Sequence, residues 1–144
     1  MKKKAKTLGL LLAVAVMISG CQYFPFLKKE GAFTYDVEKT EGVVVIKVEN
    51  VEGEGYLSTL MEDAKAKDLL QFECSGGMII SLEGVENAAD WSACWMLYTT
   101  DEEMSNNAWG TFEYEEETLG SAILGMDSLR VEDGESYVWV YQSF

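Results

Sequence analysis

The side chains best suited to chemistry in this sequence are aromatic. Trp91, Trp95, Tyr98 and Trp109 fall between positions 91 and 109, with Met96 and Met104 among them. Large rigid ring faces offer contact area at low entropy loss, which suits a flat ligand. For Trp95 and Tyr98 the plain alternative is core packing, as for most strand aromatics. Trp109 differs, because it sits among Ser105, Asn106, Asn107, Ala108 and Gly110. The two asparagine amides either bond ligand groups or make the turn. Histidine is absent. That removes the usual general base near neutral pH and the commonest metal ligand. It also excludes Ser-His-Asp and Cys-His catalysis. The acidic runs Asp101–Glu103 and Glu113–Glu117 lack the spacing of a calcium loop, and a solvated face is the plainer reading. No carboxylate pair stands out for glycoside hydrolysis. The chemistry expected is binding without a covalent step, with no enzyme activity, cofactor or metal.

The next reactive residue is Cys21. Lys2, Lys3, Lys4 and Lys6 form a positive start, and Leu8 to Ile18 an apolar stretch. That stretch is too short to span a bilayer, which takes roughly 20 residues. It ends Ser19-Gly20-Cys21. Charge, length and the small residue–Gly–Cys ending together resemble the bacterial lipoprotein signal. The resemblance implies cleavage before Cys21 and acylation of its thiol, with palmitate among the chains. The mature protein would then be held on the extracytoplasmic face of the cell membrane. Residues 1–20 are the expected signal peptide and 21–31 a short tether. Tyr23, Phe24 and Phe26 could sit at the membrane interface with Lys28 and Lys29 at headgroups. An ordinary disordered N-terminus is the alternative.

With the four signal lysines gone, 7 basic residues remain against all 25 acidic ones, a net charge of −18. Such a surface repels nucleic acid. Hydrophobic content of 48% is ample for a packed core, so residues 32–144 read as one domain. Cys74 and Cys94 either form a disulfide outside the cell or pack as small apolar groups.

The elements that must position the aromatics follow from periodicity. Residues 32–38 and 43–49 alternate as two strands. Residues 57–68 place Leu57, Leu60, Met61 and Ala64 on one helical face. Thr59 and Glu62 have capping-box spacing, Glu62 and Asp63 are assigned to the helix start, and Lys65 and Lys67 to its end. Residues 69–74 read as a strand with Leu70, Phe72 and Cys74 inward. Ser75-Gly76-Gly77 is a turn, and 78–83 a strand with Met78, Ile80 and Leu82 on one face. Met61, Met78 and Met126 are assigned to the core. Residues 84–90 read as a loop, 94–99 as a strand and 100–110 as a polar loop. A short strand follows at 111–114, and the chain closes with an aromatic strand at 137–141. The fold expected is α+β, a mostly antiparallel sheet with one main helix, β-grasp-like in element order.

Gly55-Tyr56 before the helix, the Ser75-Gly76-Gly77 hairpin, the Trp95–Tyr98 strand, the Met104–Gly110 loop and the closing Trp139-Val140-Tyr141 strand occur in a recognisable order. Residues 43–144 thereby resemble the transcobalamin-like C-terminal domain, also catalogued as DUF4430. The resemblance implies a small-ligand-binding domain, with cobalamin or a related corrinoid as ligand and a membrane transporter as partner. Trp95 would match the family's strand tryptophan. Met104, Ser105, Ala108 and Gly110 would match the loop that approaches the corrin ring. The helical partner domain of the eukaryotic carriers is missing, and Cys94 stands where they commonly have an aromatic. A surface interaction or adhesion module without a small ligand is the alternative.

Overall fold

A computed structural model describes residues 32–144; the expected signal peptide and tether, Cys21 included, lie outside the described residues. The order is β1 (Ala32–Thr40), β2 (Val43–Glu52), helix α1 (Leu57–Ala66), β3 (Phe72–Ser75), β4 (Met78–Leu82), β5 (Val85–Glu86), β6 (Ala93–Thr99), a 3-10 turn (Glu102–Met104), β7 (Ser105–Tyr114), β8 (Glu117–Ala122) and β9 (Ser136–Ser143). Six strands form one sheet in the order β1-β2-β9-β6-β8-β7, and β3-β4-β5 form a second. Every ladder is antiparallel. The domain is therefore α+β with one main helix, and its hairpin–helix–strands order is the one expected.

The large sheet is buried on both sides at its centre. One face carries Val44, Ile46 and Val48 of β2, Trp95 and Leu97 of β6, and Tyr137 and Trp139 of β9, in one cluster with the buried residues of α1 and of the second sheet. The other carries Val45, Tyr98, Leu119, Val138 and Val140, with Phe112 and Tyr114 packed on them. That explains the unbroken apolar run Val43–Ile46: a strand covered on both faces has no reason to alternate. The second face is covered because the sheet curls. Tyr114, at the end of edge strand β7, donates to Glu38 Oε1 on the opposite edge strand β1 at 2.7 Å. Lys47 joins both edges through Glu38 and Glu115, each at 3.2 Å.

The Tyr114 bond, and then Lys47, hold the Glu38 carboxyl below the ordinary glutamate range. A depressed folded value means the tie is intact above the ordinary range and is lost as pH falls through the depressed value. A carboxyl NMR titration should show Glu38 protonating below the ordinary glutamate range, with the Tyr114 ring signals moving in the same step. An ordinary midpoint for Glu38 would contradict this tie.

Helix α1 buries Leu57, Leu60, Met61 and Ala64, the face read from the sequence. Its start is not a capping box. Tyr56 is the N-cap and gives no side-chain bond, and Thr59 lies inside the helix. The orphan N–H groups of Leu57 and Ser58 instead donate to the carbonyls of Leu129 (2.8 Å) and Met126 (2.9 Å). No acidic residue falls in the first turn, and only Lys65 is basic in the last. The expected dipole pairing is therefore half formed. Asp68 ends the helix at φ +62°, so the final residues of 57–68 are its cap and not its body.

Four assignments change around the second sheet. Strand β3 starts at Phe72 and not at Leu69. A register shift between Glu73 and Cys74 makes Ile80 an extra residue opposite them. Beyond it the alternation changes phase. Ile79 and Leu82 are buried, whereas Met78, Ile80 and Cys74 are exposed, so Met78 is not core. Residues 85–86 of the expected loop pair with β4 as β5. Cys74 and Cys94 are free thiols, not a disulfide. Cys74 opens to solvent, while the Cys94 thiol lies 3.7 Å from Met96 Sδ on the far face of β6.

Candidate functional site

Trp95 and Tyr98 do not share a site. They stand three residues apart in a strand, so the two-residue period sends them to opposite faces. Trp95 packs into the helix-side core at 7% exposure. Its indole N–H donates to the Val85 carbonyl at 2.8 Å, and its ring meets Tyr141 edge-on at 5.3 Å. Tyr98 is buried in the other core, donating from its hydroxyl to Gln142 Oε1 at 2.5 Å. Both side chains have protein partners for their polar atoms and no face left for a ligand. Trp91 is exposed, but it precedes Ala93 at the far end of β6 from Thr99, about 20 Å along the strand. The expected aromatic cluster is thus four separate positions.

The polar loop is the part of the expected site that the structure keeps open, and it is a bulged strand. Ser105 and Asn106 pair with Ala122 and Ser121, and pairing resumes at Thr111 with Gly120. Residues 107–110 are pushed out between them. Three contacts shape this bulge. Asn106 Oδ1 accepts from the Ala108 N–H at 2.9 Å. The Asn107 side chain rests directly on the Gly120 α-carbon. Gly110 crosses above Tyr98 at φ +137°, where a side chain would be strained. Trp109 is carried outward on this frame at 62% exposure. Met104 is half-buried against the helix-side core, so it supports the bulge and does not front it.

Beside the bulge lies a cleft of about 440 Å³ lined by Thr99, Thr100, Glu102, Ser105, Asn106, Asn107, Thr118 and Gly120. A second hollow of about 590 Å³ shares Thr100, Glu102 and Thr118 with it and adds Asp101, Glu103, Glu117 and Glu135. The floor is fixed by hydrogen bonds between the end of β6 and the start of β9. Thr99 Oγ1 donates to the Ser136 carbonyl at 2.9 Å, and Thr100 Oγ1 to Glu135 Oε1 at 2.6 Å. Asp101 Oδ1 accepts from the Glu103 N–H at 3.0 Å and starts the 3-10 turn. Among the described residues no three carboxylates or thiols converge to hold a metal ion.

Ser105, Asn106 and Asn107 therefore reach a real cleft, and Trp109 lies two residues further along the same bulge without lining it. Thr99, Thr100, Glu102, Thr118 and Gly120 are cleft residues the sequence reading did not include. Thr99-Thr100-Asp101-Glu102-Glu103 carried one usable sign, an N-cap aspartate followed by acidic residues. Known proteins add no assignment: no family model, curated protein or solved structure matches the chain.

Gly120→Ala is a selective test of this geometry. A Cβ there meets the Asn107 side chain, and Ser105 Cβ at 3.0 Å. The long polar end of Asn107 can swing away, so the domain should stay folded while the bulge is re-aimed. The expected result is a shifted Trp109 indole N–H resonance with a thermal midpoint within a few degrees of wild type, since losses of about 1 kcal/mol move it little more. An unmoved Trp109 signal would show that Asn107 does not shape the bulge.

Proposed function

We propose that the mature chain is a lipid-anchored extracytoplasmic binding module that grips its ligand on an open surface. The contact residues are Trp109, Ser105, Asn106 and Asn107, with the neighbouring cleft. The observation that carries this reading is the 62% exposure of Trp109 on a shaped bulge beside that cleft. An indole left in water forgoes its burial energy, and large exposed apolar groups on shaped features mark interaction sites. The Cys21 anchor rests on the signal segment alone.

A corrinoid delivered to an uptake transporter is the ligand implied by the transcobalamin-like resemblance. This surface would offer it one indole and two amides. Trp95 and Tyr98 are not available to extend an aromatic floor. The second reading, a protein-interaction or adhesion module, is favoured by one observation: Trp109 lies on the edge strand β7, whose outer side is unpaired among the described residues.

Tryptophan-fluorescence titration with cobalamin and cobinamide separates these readings. Saturable quenching at tens of micromolar, weakened by Trp109→Ala, would support the corrinoid receptor. A flat response would remove the corrinoid and leave the open surface to another ligand. If Trp109→Ala unfolds the domain, the indole is structural and the proposed site is wrong.

A further inference from the structure

We infer that the ligand of this surface is a neutral glycan strand, stacked by a sugar face on Trp109 and hydrogen-bonded along the adjoining cleft. The inference rests on the binding-module reading above and names its ligand class.

The indole is the first ground. Its face carries the negative side of the ring quadrupole, and the C–H groups on one face of a pyranose are weakly positive. Stacking needs an open, pre-positioned ring. Trp109 is open, and the Asn106–Ala108 bond and the Gly120 seat position its bulge.

The lining is the second ground. Ser105 offers a hydroxyl, Asn106 and Asn107 amides, and Glu102 a carboxylate, while the Thr100 and Thr118 hydroxyls already donate to Glu135 and Glu113. Hydroxyls and amides both donate and accept, as do the neighbouring hydroxyls of a sugar. An apolar ligand would cover these groups without satisfying them, at a desolvation penalty.

Shape and charge complete the argument. The two hollows share Thr100, Glu102 and Thr118 and so lie side by side on the surface. Small-molecule pockets enclose most of their ligand; open hollows suit a chain that runs past. Glu102, Glu103, Glu117 and Glu135 border them and repel uronic-acid or phosphate polymers. Lys47 does not offset them, because it is paired with Glu38 and Glu115.

The test uses the full chain in a sugar-free detergent, sedimented with insoluble chitin or cellulose. Sodium chloride at about 0.5 M screens exposed charges beyond several ångströms. Wild type should be retained on at least one polymer, and Trp109→Ala should weaken retention about tenfold, the scale of one aromatic contact. Trp91→Ala should match wild type, and both variants should melt near the wild-type temperature. Alginate, an anionic polymer, should not retain the protein. No retention on chitin and cellulose, equal retention of Trp109→Ala, loss of binding in salt, or retention on alginate would each overturn the inference. If both neutral polymers fail while a corrinoid titration saturates through Trp109, the glycan falls and the binding module stands. If Trp109→Ala changes neither assay, the module reading falls as well.

Discussion

Cys21→Ala should move the protein from the membrane fraction to the soluble fraction of an expressing bacterium, and should abolish its labelling by radioactive palmitate. The loss of label should be close to complete, because the Cys21 thiol is the expected site of acylation; release is read on chain from which residues 1–20 have been removed, since a retained Leu8–Ile18 segment would itself hold the protein on the membrane. Among the described residues no helix is long and apolar enough to cross a bilayer. The mature net charge of −18 opposes adsorption to anionic headgroups. Acyl chains contribute roughly 0.8 kcal/mol per buried CH₂, so two chains anchor stably where one is marginal. The aromatic tether residues Tyr23, Phe24 and Phe26 add at most an interfacial contact. If the variant still takes up palmitate at wild-type level, the lipoprotein reading of residues 1–21 is wrong.

Leu60→Ala should destabilise the folded domain by about 3 kcal/mol, within the range for large-to-small changes at sealed core positions. Leu60 has no exposed surface and lies in the cluster that joins α1 to Ile46, Tyr137 and Trp139. The helix is short and lacks a side-chain cap, so packing of this one face carries much of its stability. Its start also depends on the carbonyls of Met126 and Leu129. A loosened helix would therefore release that loop too. Denaturant unfolding should show a lower midpoint with an unchanged slope. Leu69→Ala, at a position 41% exposed, is the control and should stay within about 1 kcal/mol of wild type. Equal effects of the two substitutions would mean that the helix does not dock as described.

The parts of the fold legible in the sequence are those where one period runs without interruption. The Leu57–Leu60–Met61–Ala64 stripe and the Tyr137–Trp139–Tyr141 alternation both place their side chains correctly. Reading fails where a local irregularity changes the count. One extra residue at Ile80 turned Met78 outward. Strand β7 was obscured because Ser105–Gly110 has turn residues, and four of them are pushed out of a ladder that resumes at Thr111. Strand β8 (Glu117–Ala122) mixes Glu, Thr, Gly and Ser with no alternation, and its partners alone make it a strand. The separation of Trp95 from Tyr98 was readable by parity. The rest of the cleft was not, since Thr100, Glu102, Thr118 and Gly120 come together only when β8 pairs with β6 and β7.

The indole N–H region of a ¹H–¹⁵N NMR spectrum tests the central claim most directly. The protein has four tryptophans, two buried as Trp95 and Trp139 and two open as Trp91 and Trp109. Single substitutions assign the four signals. Soluble chito- and cello-oligosaccharides, and cobinamide, are then titrated in turn. The account predicts that at least one of them shifts the Trp109 signal to saturation while Trp95 and Trp139 hold still. A Trp109 signal that never moves, or movement confined to the buried indoles, would contradict it.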